Sequence, residues 1–272
     1  MQNNKVSGTL YIVGTPIGNM GDISERALQT LAQADIIACE DTRRSRVLLD
    51  KFGIAKRLIS YHKHNEQSGS EYILELLDEG NNIALISDAG MPCISDPGAA
   101  VVTKARQGGY NISSVPGPTA LTTALALAGV DGAFTFLGFL PEKLKDRTAL
   151  LNAFEIVPCA LVFYCSPHDI LRDLGDMYEI LGARDVYVVR EITKLYEEVA
   201  AGKLGEIDIG NPRGEYVVIV GKPAPSKPQG DIMSQLRQAI EVGMDKKSAI
   251  KKVAKDNNLP KDAVYKVAMS ID

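Results

Sequence analysis

Hydrophobic and polar positions along the chain switch repeatedly between two periods. Five short apolar, β-rich runs come first: TLYIVG from Thr9, ADIIACE from Ala34, RLISYH from Arg57, NIALISDAG from Asn82 and NISSVPGP from Asn111. Between them lie segments whose apolar residues recur at helical spacing. DISERALQTLAQA puts Ile23, Ala27, Leu28 and Leu31 on one face, with Asp22 or Ser24 placed to cap it. TRRSRVLLDKFG reads as a helix closed by Gly53, SEYILELLDEG as an amphipathic helix, and a further helix runs from SDPGAA to Gly108 and Gly109. Strand and helix in alternation predict a mostly parallel sheet with helices on both faces.

The second half continues with different spacing. PGPTALTTALALAG predicts a small-residue helix, FTFLGFLP a strand, KLKDRTALLNAFEI a helix, CALVFYCSP a strand, DILRDLGDMYEILG a helix, and DVYVVREIT and EYVVIVG two more strands. KPAPSKPQG is a proline-rich linker. Three short helical patterns follow. In the middle one, Ala249, Ile250, Val253 and Ala254 share a face, and Lys246, Lys247, Lys251, Lys252, Lys255, Lys261 and Lys266 surround the last two. Two such helices joined by a tight turn resemble a helix-turn-helix, and read either as a solvated hairpin or as a phosphate-contacting surface. The expected division is 1–117 for one α/β domain, 118–224 for a second, and 225–272 for linker and helical tail.

Composition narrows the picture. The chain has 272 residues, 45% hydrophobic and 24% charged, with a net charge of -4. That excludes polyanion binding by bulk charge, so any nucleic-acid contact must be a local patch. The start, MQNNKVSG, carries no apolar signal core and no run reaches a membrane span, so a cytoplasmic protein is expected. Cys39, Cys93, Cys159 and Cys165 make no Cys-x-x-Cys pair, and His62 and His64 lack a third ligand, so no metal is expected.

If the five first strands are parallel, the loops GTPIGN, CEDTRRSR, YHKHNE, SDAGMPCISDPG and VPGPTA share one edge, where ligands of such sheets sit. Gly14 and Gly18 allow close backbone approach, yet the loop fits neither the dinucleotide fingerprint nor the Walker loop. SDAGMPCISDPG, with Asp88 and Asp96, suits neither helix nor central strand, and a ligand is one way to hold it. In CEDTRRSR, carboxylates stand beside guanidiniums, which reads either as a solvated charged face or as a set that can orient a hydroxyl nucleophile and bind phosphate. Arg190, Glu191, Thr193 and Lys194 repeat the pattern after VYVV, and Lys143, Lys145 and Arg147 add basic charge.

Taken in order over nearly the whole chain, GTPIGNMGDISERAL, ACEDTRRSRVLLDKFGI, SYHKHNE, SDAGMPCISDPG, VPGPTA, GFLPEK, SPH and REITKLYEE resemble the ribosomal RNA small subunit methyltransferase I family of the tetrapyrrole methylase superfamily. The tail also resembles the family's appended helical domain. The resemblance implies two α/β domains with a cofactor cleft between them plus a small helical domain. It implies S-adenosylmethionine as methyl donor, a cytidine ribose 2'-hydroxyl of 16S rRNA in the small subunit as acceptor, and a homodimer. Carried over, it places Pro16, Asp88, Ala89, Gly90, Ile94, Asp96, Pro116, Gly117, Thr119, Ala120, Tyr164 and Ser166 at the cofactor. Asp41, Glu40 and Glu191 are the candidate proton acceptors by strand-end placement, with His62 or His64 next. Arg43, Arg44, His62, His64, Lys143, Arg147, Arg190 and Lys194 are candidates for RNA. Lys63, Met91, Cys93, Cys165 and Asp169 depart from the family pattern, on the substrate side. A small-molecule methyltransferase of the same architecture and a non-catalytic RNA-binding protein are the other classes open to these residues.

Overall fold

A computed structural model describes residues 7–224, 231–257 and 259–269. Residues up to Asn152 and from Cys159 to Gly221 form one compact unit; Ala153–Pro158 and the described residues from Lys222 form the second.

The first unit begins with β1 (Thr9–Val13), α1 (Glu25–Gln33), β2 (Ile36–Cys39), α2 (Thr42–Lys51), β3 (Arg57–Ser60), α3 (Glu66–Asp78), β4 (Ile83–Leu85), α4 (Ala99–Gln107) and β5 (Asn111–Val115). All five strands are parallel, in the order β3-β2-β4-β1-β5. Alternate strand residues point to opposite faces. Val13, Ile37 and Ala84 pack with Ala27, Leu31 and Leu49 of α1 and α2. Leu10, Ala38 and Leu85 pack with Ile73, Leu77, Val101 and Ala105 of α3 and α4. The chain leaves adjacent β1 and β4 in opposite directions, toward β2 and toward β5. Such a switch point opens a crevice at the carboxyl ends of those strands.

The unit continues with α5 (Ala120–Leu127), β6 (Phe134–Phe139), α6 (Leu144–Phe154), β7 (Ala160–Cys165), α7 (Ile170–Leu181), β8 (Asp185–Arg190), β9 (Glu198–Lys203) and β10 (Tyr216–Val220). These strands run β6-β7-β10-β8-β9. β6 and β7 are parallel, while β10 is antiparallel to both β7 and β8. The first residues of β10 therefore lie beside the last residues of β7 and β8, as in the pairing of Tyr216 with Cys165 and Arg190. β9 has no apolar alternation and is exposed along almost its whole length; hairpin pairing with β8 makes it a strand. The boundary expected at 117/118 falls in the loop between β5 and α5. Linker residues 225–230 lie outside the described residues.

The second unit holds α8 (Ile232–Glu241), α9 (Lys246–Asp256) and α10 (Lys261–Ala268) around Leu236, Ala249, Ile250, Val253, Ala254 and Val264. Asp245 caps α9 by accepting the Ser248 N–H at 3.0 Å. Among the described residues no helix is long and apolar enough to cross a membrane.

Candidate active site

The crevice is built by backbone contacts between loops. Thr15 is almost fully buried, and its N–H and C=O pair with the C=O and N–H of Gly90 at 2.9 and 3.2 Å. Its hydroxyl donates to Ser87 O at 3.2 Å. Gly14 faces Gly117 so closely that a Cβ on Gly14 would sit 2.6 Å from the Gly117 backbone. Gly18, at φ +159°, presses against Thr193 and Lys194, fastening the first loop to the loop after β8. The 87–98 loop is wound tightly: Cys93 and Ser95 hold left-handed φ of 70° and 64°, a costly conformation for side-chain-bearing residues. Glu66 of YHKHNE ties its end by accepting the Gly98 N–H at 3.1 Å.

These loops and the ends of β6, β7 and β8 enclose a cavity of about 380 Å³ with mostly apolar walls. Eight residues expected at a cofactor line it: Ala89, Gly90, Ile94, Asp96, Thr119, Ala120, Tyr164 and Ser166. Pro16, Asp88, Pro116 and Gly117 lie outside the lining. Pro16 is buried and Gly117 packs on Gly14, so both shape the loops instead. Asp88 accepts the Asp41 N–H at 3.1 Å and pairs with Arg44 at 3.2 Å. Ile17, Met91, Phe139, Ile192, Tyr216 and Val217 complete the apolar wall. Ile17 and Met91 come from the strand-end loops, whereas Tyr216 and Val217 read in the sequence as residues of an apolar strand, and only the sheet order brings those two to the cavity. The size and the few polar groups on apolar walls suit a small organic cofactor. Thr119 caps α5 with its side chain on the Thr122 N–H, and Ser166 donates to Asp169 at 2.7 Å.

Charge is concentrated beside this cavity. Burial, then the Glu40 and Asp88 carboxylates, push the Asp96 carboxyl up to about 6. Burial and Asp88 likewise raise Glu40. Asp41 is the opposite case. Its hydrogen bonds with Arg43 hold it down at about 2, and it caps α2 while pairing with Arg43 at 2.8 Å. A carboxylate so committed is a weaker proton acceptor than one whose proton affinity is raised. Glu191 is also committed. Burial raises its carboxyl, but the Lys194 ammonium and the Glu215 N–H outweigh this and hold it below its ordinary value. Asp96, expected among the cofactor contacts, is thus the cavity-lining carboxyl with raised proton affinity. Its burial beside two acids depends on tertiary structure and leaves no mark in sequence.

The expected RNA contacts divide in two. Arg43, Arg44, His64 and Lys143 are exposed, and His62 is half-buried with Nδ1 unpartnered inside the protein. Arg147 is a correction. It is buried, with Nε on Asp176 at 2.6 Å and Nη1 donating to the Pro141 and Glu142 carbonyls, so it braces α6 against α7 and the preceding turn. Lys194 bridges Glu191 and Glu215 at 2.8 and 2.9 Å, leaving it little charge to offer. Arg190 pairs with Glu198 at 2.7 Å and is partly exposed. Among the described residues no cluster of His, Cys, Asp and Glu suits a metal.

A family profile described as Tetrapyrrole (Corrin/Porphyrin) Methylases matches residues 9–208. A protein of Halalkalibacterium halodurans named ribosomal RNA small subunit methyltransferase I is 41% identical over 278 aligned residues, 98% of this chain and 96% of its own. The chain belongs to the ribosomal RNA small subunit methyltransferase I family. Within that family, a Thermotoga maritima relative of the same name is 45% identical over 218 residues, which are 98% of its length but 78% of this chain. The rRNA methyltransferase I fold extends to more distant structures. A crystal structure of the methyltransferase CobJ superposes with a TM-score of 0.63 at 21% identity, covering 82% of this chain and 98% of that one.

Proposed function

We propose that this enzyme transfers a methyl group from S-adenosylmethionine to a cytidine ribose 2'-hydroxyl in 16S rRNA of the small ribosomal subunit. The observation that carries this reading is the identity to relatives named ribosomal RNA small subunit methyltransferase I over nearly the full chain. An rRNA methyltransferase of this family uses S-adenosylmethionine as methyl donor, and the apolar cavity with Asp96, Thr119 and Ser166 fits it. When bound, that cofactor supplies a methyl carbon on a sulfonium, a good leaving group. The protein's own task is then orientation and proton management. Backbone at Ala89 and Gly90 and the rings of Phe139 and Tyr164 hold the cavity's shape, with Tyr164 packed edge-on to Phe139 at 5.6 Å. Positioning of this kind is worth about 7–11 kcal/mol at best. Asp96 would accept the proton of the ribose hydroxyl as its oxygen takes the methyl carbon, the carbon–sulfur bond breaks and the neutral thioether leaves, and Glu40 is the carboxyl that acts on Asp96 electrostatically. Proton acceptance of this type contributes roughly 10²–10⁴-fold.

The same reading gives α9 and α10 an RNA-gripping role. Lys246, Lys247, Lys251 and Lys261 border an apolar groove that includes Tyr265 and Met269. Cations beside an exposed aromatic ring suit a single-stranded backbone. The homodimer, cytoplasmic location and two-lobed division of the α/β unit enter this reading from the family resemblance.

Incubation of the purified enzyme with labelled S-adenosylmethionine and unmethylated small subunits, followed by digestion to nucleosides, tests the proposal. Label in 2'-O-methylcytidine is expected. Label in a base, or none in RNA with cofactor still bound, overturns the assignment and points to a small-molecule acceptor.

A further inference from the structure

Beside the methyl-transfer cavity lies a second pocket, of about 420 Å³, bordered by Arg190, Glu191, Tyr196, Asn211, Arg213 and Gly214. We infer that this pocket binds a single-stranded nucleotide flanking the methylation target, its phosphate on the Arg213 guanidinium and its base on the Tyr196 ring. The inference rests on the function proposed above and identifies where that enzyme holds its substrate.

Location comes first. Residues 214–216 form a common wall. Gly214 borders the second pocket, whereas Glu215 and Tyr216 line the methyl-transfer cavity. The wall is fixed from both sides. The Glu215 N–H donates to the Glu191 carboxylate at 3.1 Å, and the Arg213 N–H donates to the Tyr216 hydroxyl at 2.9 Å. Gly214, at φ +78°, lies against Glu191 so tightly that a Cβ would sit 2.3 Å from its carboxyl oxygen. A chain whose target ribose faces the cavity thus brings a neighbouring nucleotide to this wall.

Charge comes next. The acids around the pocket already have partners. Glu191 and Glu215 share Lys194, Glu198 pairs with Arg190, and Glu197 accepts the Thr193 N–H at 2.7 Å. Arg213 is exposed and makes no ion pair among the described residues, so its fork of donors is open to a phosphate. Tyr196 is 71% exposed and stacks on no other ring among the described residues, which suits it to stacking on a base. Asn211 adds an amide that can donate to and accept from a base edge. A guanidinium, an open ring and an amide around one pocket match a nucleotide better than an inorganic anion, which has no use for the ring.

The test uses the full-length enzyme and unmethylated small subunits, comparing Arg213→Ala, Tyr196→Ala and Tyr196→Phe. Expected are a rise in KM of about tenfold or more for Arg213→Ala and Tyr196→Ala, and near-parental behaviour for Tyr196→Phe, which keeps the ring. For Arg213→Ala, the slope of log affinity against log salt falls by about one, the sign of a lost phosphate contact. S-adenosylmethionine binding, followed by calorimetry, stays at the parental value in all three and shows that they fold. Parental KM and salt slope in both alanine variants, with the parent active on subunits, overturn the pocket alone. A parent that neither binds nor methylates subunits overturns the function itself, and the pocket with it.

Discussion

Burial and two neighbouring carboxylates hold the Asp96 carboxyl at about 6 against an ordinary 3.8, and this has opposite consequences for activity and stability. A proton acceptor tuned toward neutrality predicts that kcat/KM rises with pH through about 6 and then levels, and that Asp96→Asn lowers kcat by about 10²-fold or more. For stability, the folded state binds more protons than the unfolded one between about pH 4 and 6. Stability therefore falls as pH rises across that window, and the deficit persists above it. Asp96→Asn removes the deficit, so the variant is expected to be more stable than its parent at pH 7.5. The gain is on the order of 1 kcal/mol once solvent screening is allowed for, and it closes near pH 4. Denaturant titrations at the two pH values check it. A second residue-scale prediction concerns Gly14. A methyl there meets the Gly117 backbone and the Met91 sulfur at 2.6 Å, and backbone cannot swing aside. Gly14→Ala is expected to lose on the order of 1–3 kcal/mol and to weaken cofactor binding, both readable by thermal shift with and without S-adenosylmethionine.

Helices and strands with strong periodic patterns were legible from residues alone: the first five strands, the helices of the sheet-bearing unit and the three tail helices form within the segments expected, except that α3 starts at Glu66, four residues before the expected SEYILELLDEG. β9 was not, because an exposed edge strand buries no face and so carries no hydrophobic alternation. Nor was the antiparallel insertion of β10 between β7 and β8, since register and neighbour order are long-range choices. That hidden order decides the site, because it brings Tyr216 and Val217 to the cavity wall. Ala89, Gly90 and Thr119, which the family resemblance carried over, line the cavity, whereas Asp41 and Arg147, named from their place beside strand ends and basic charge, spend their hydrogen bonds on internal partners. At the tail the prediction is electrostatic. Lys247 and Lys251 of α9 are exposed and border the Tyr265 groove, while the helix is held by Ala249, Ile250, Val253 and Ala254. Lys247→Glu/Lys251→Glu is expected to leave helicity unchanged by circular dichroism. It should weaken small-subunit binding and reduce its salt slope by about two, with kcat at saturating subunits nearly unaffected.

Under the proposed function the two units take different tasks. The unit carrying both sheets contains the cavity, the carboxylates and the Arg213 pocket, and its apolar cores close around those sheets alone. The helical unit has its own core and the lysine-bordered groove. The Thermotoga maritima relative matches 78% of this chain with 98% of its own length, so about a fifth of this chain has no counterpart in that family member. A protein ending at Gly221 should therefore fold cooperatively and bind S-adenosylmethionine with parental affinity. Losing the lysine groove removes a sequence-independent grip on phosphate, so its KM for small subunits should rise by about tenfold or more and the penalty should shrink at low salt, where the remaining basic residues suffice. kcat should hold, because no residue of the cavity is removed. Loss of cofactor binding would show that the helical unit stabilises the cavity. A KM unchanged at physiological salt would assign RNA capture to the Arg43, Arg44 and Arg213 side of the sheet-bearing unit alone.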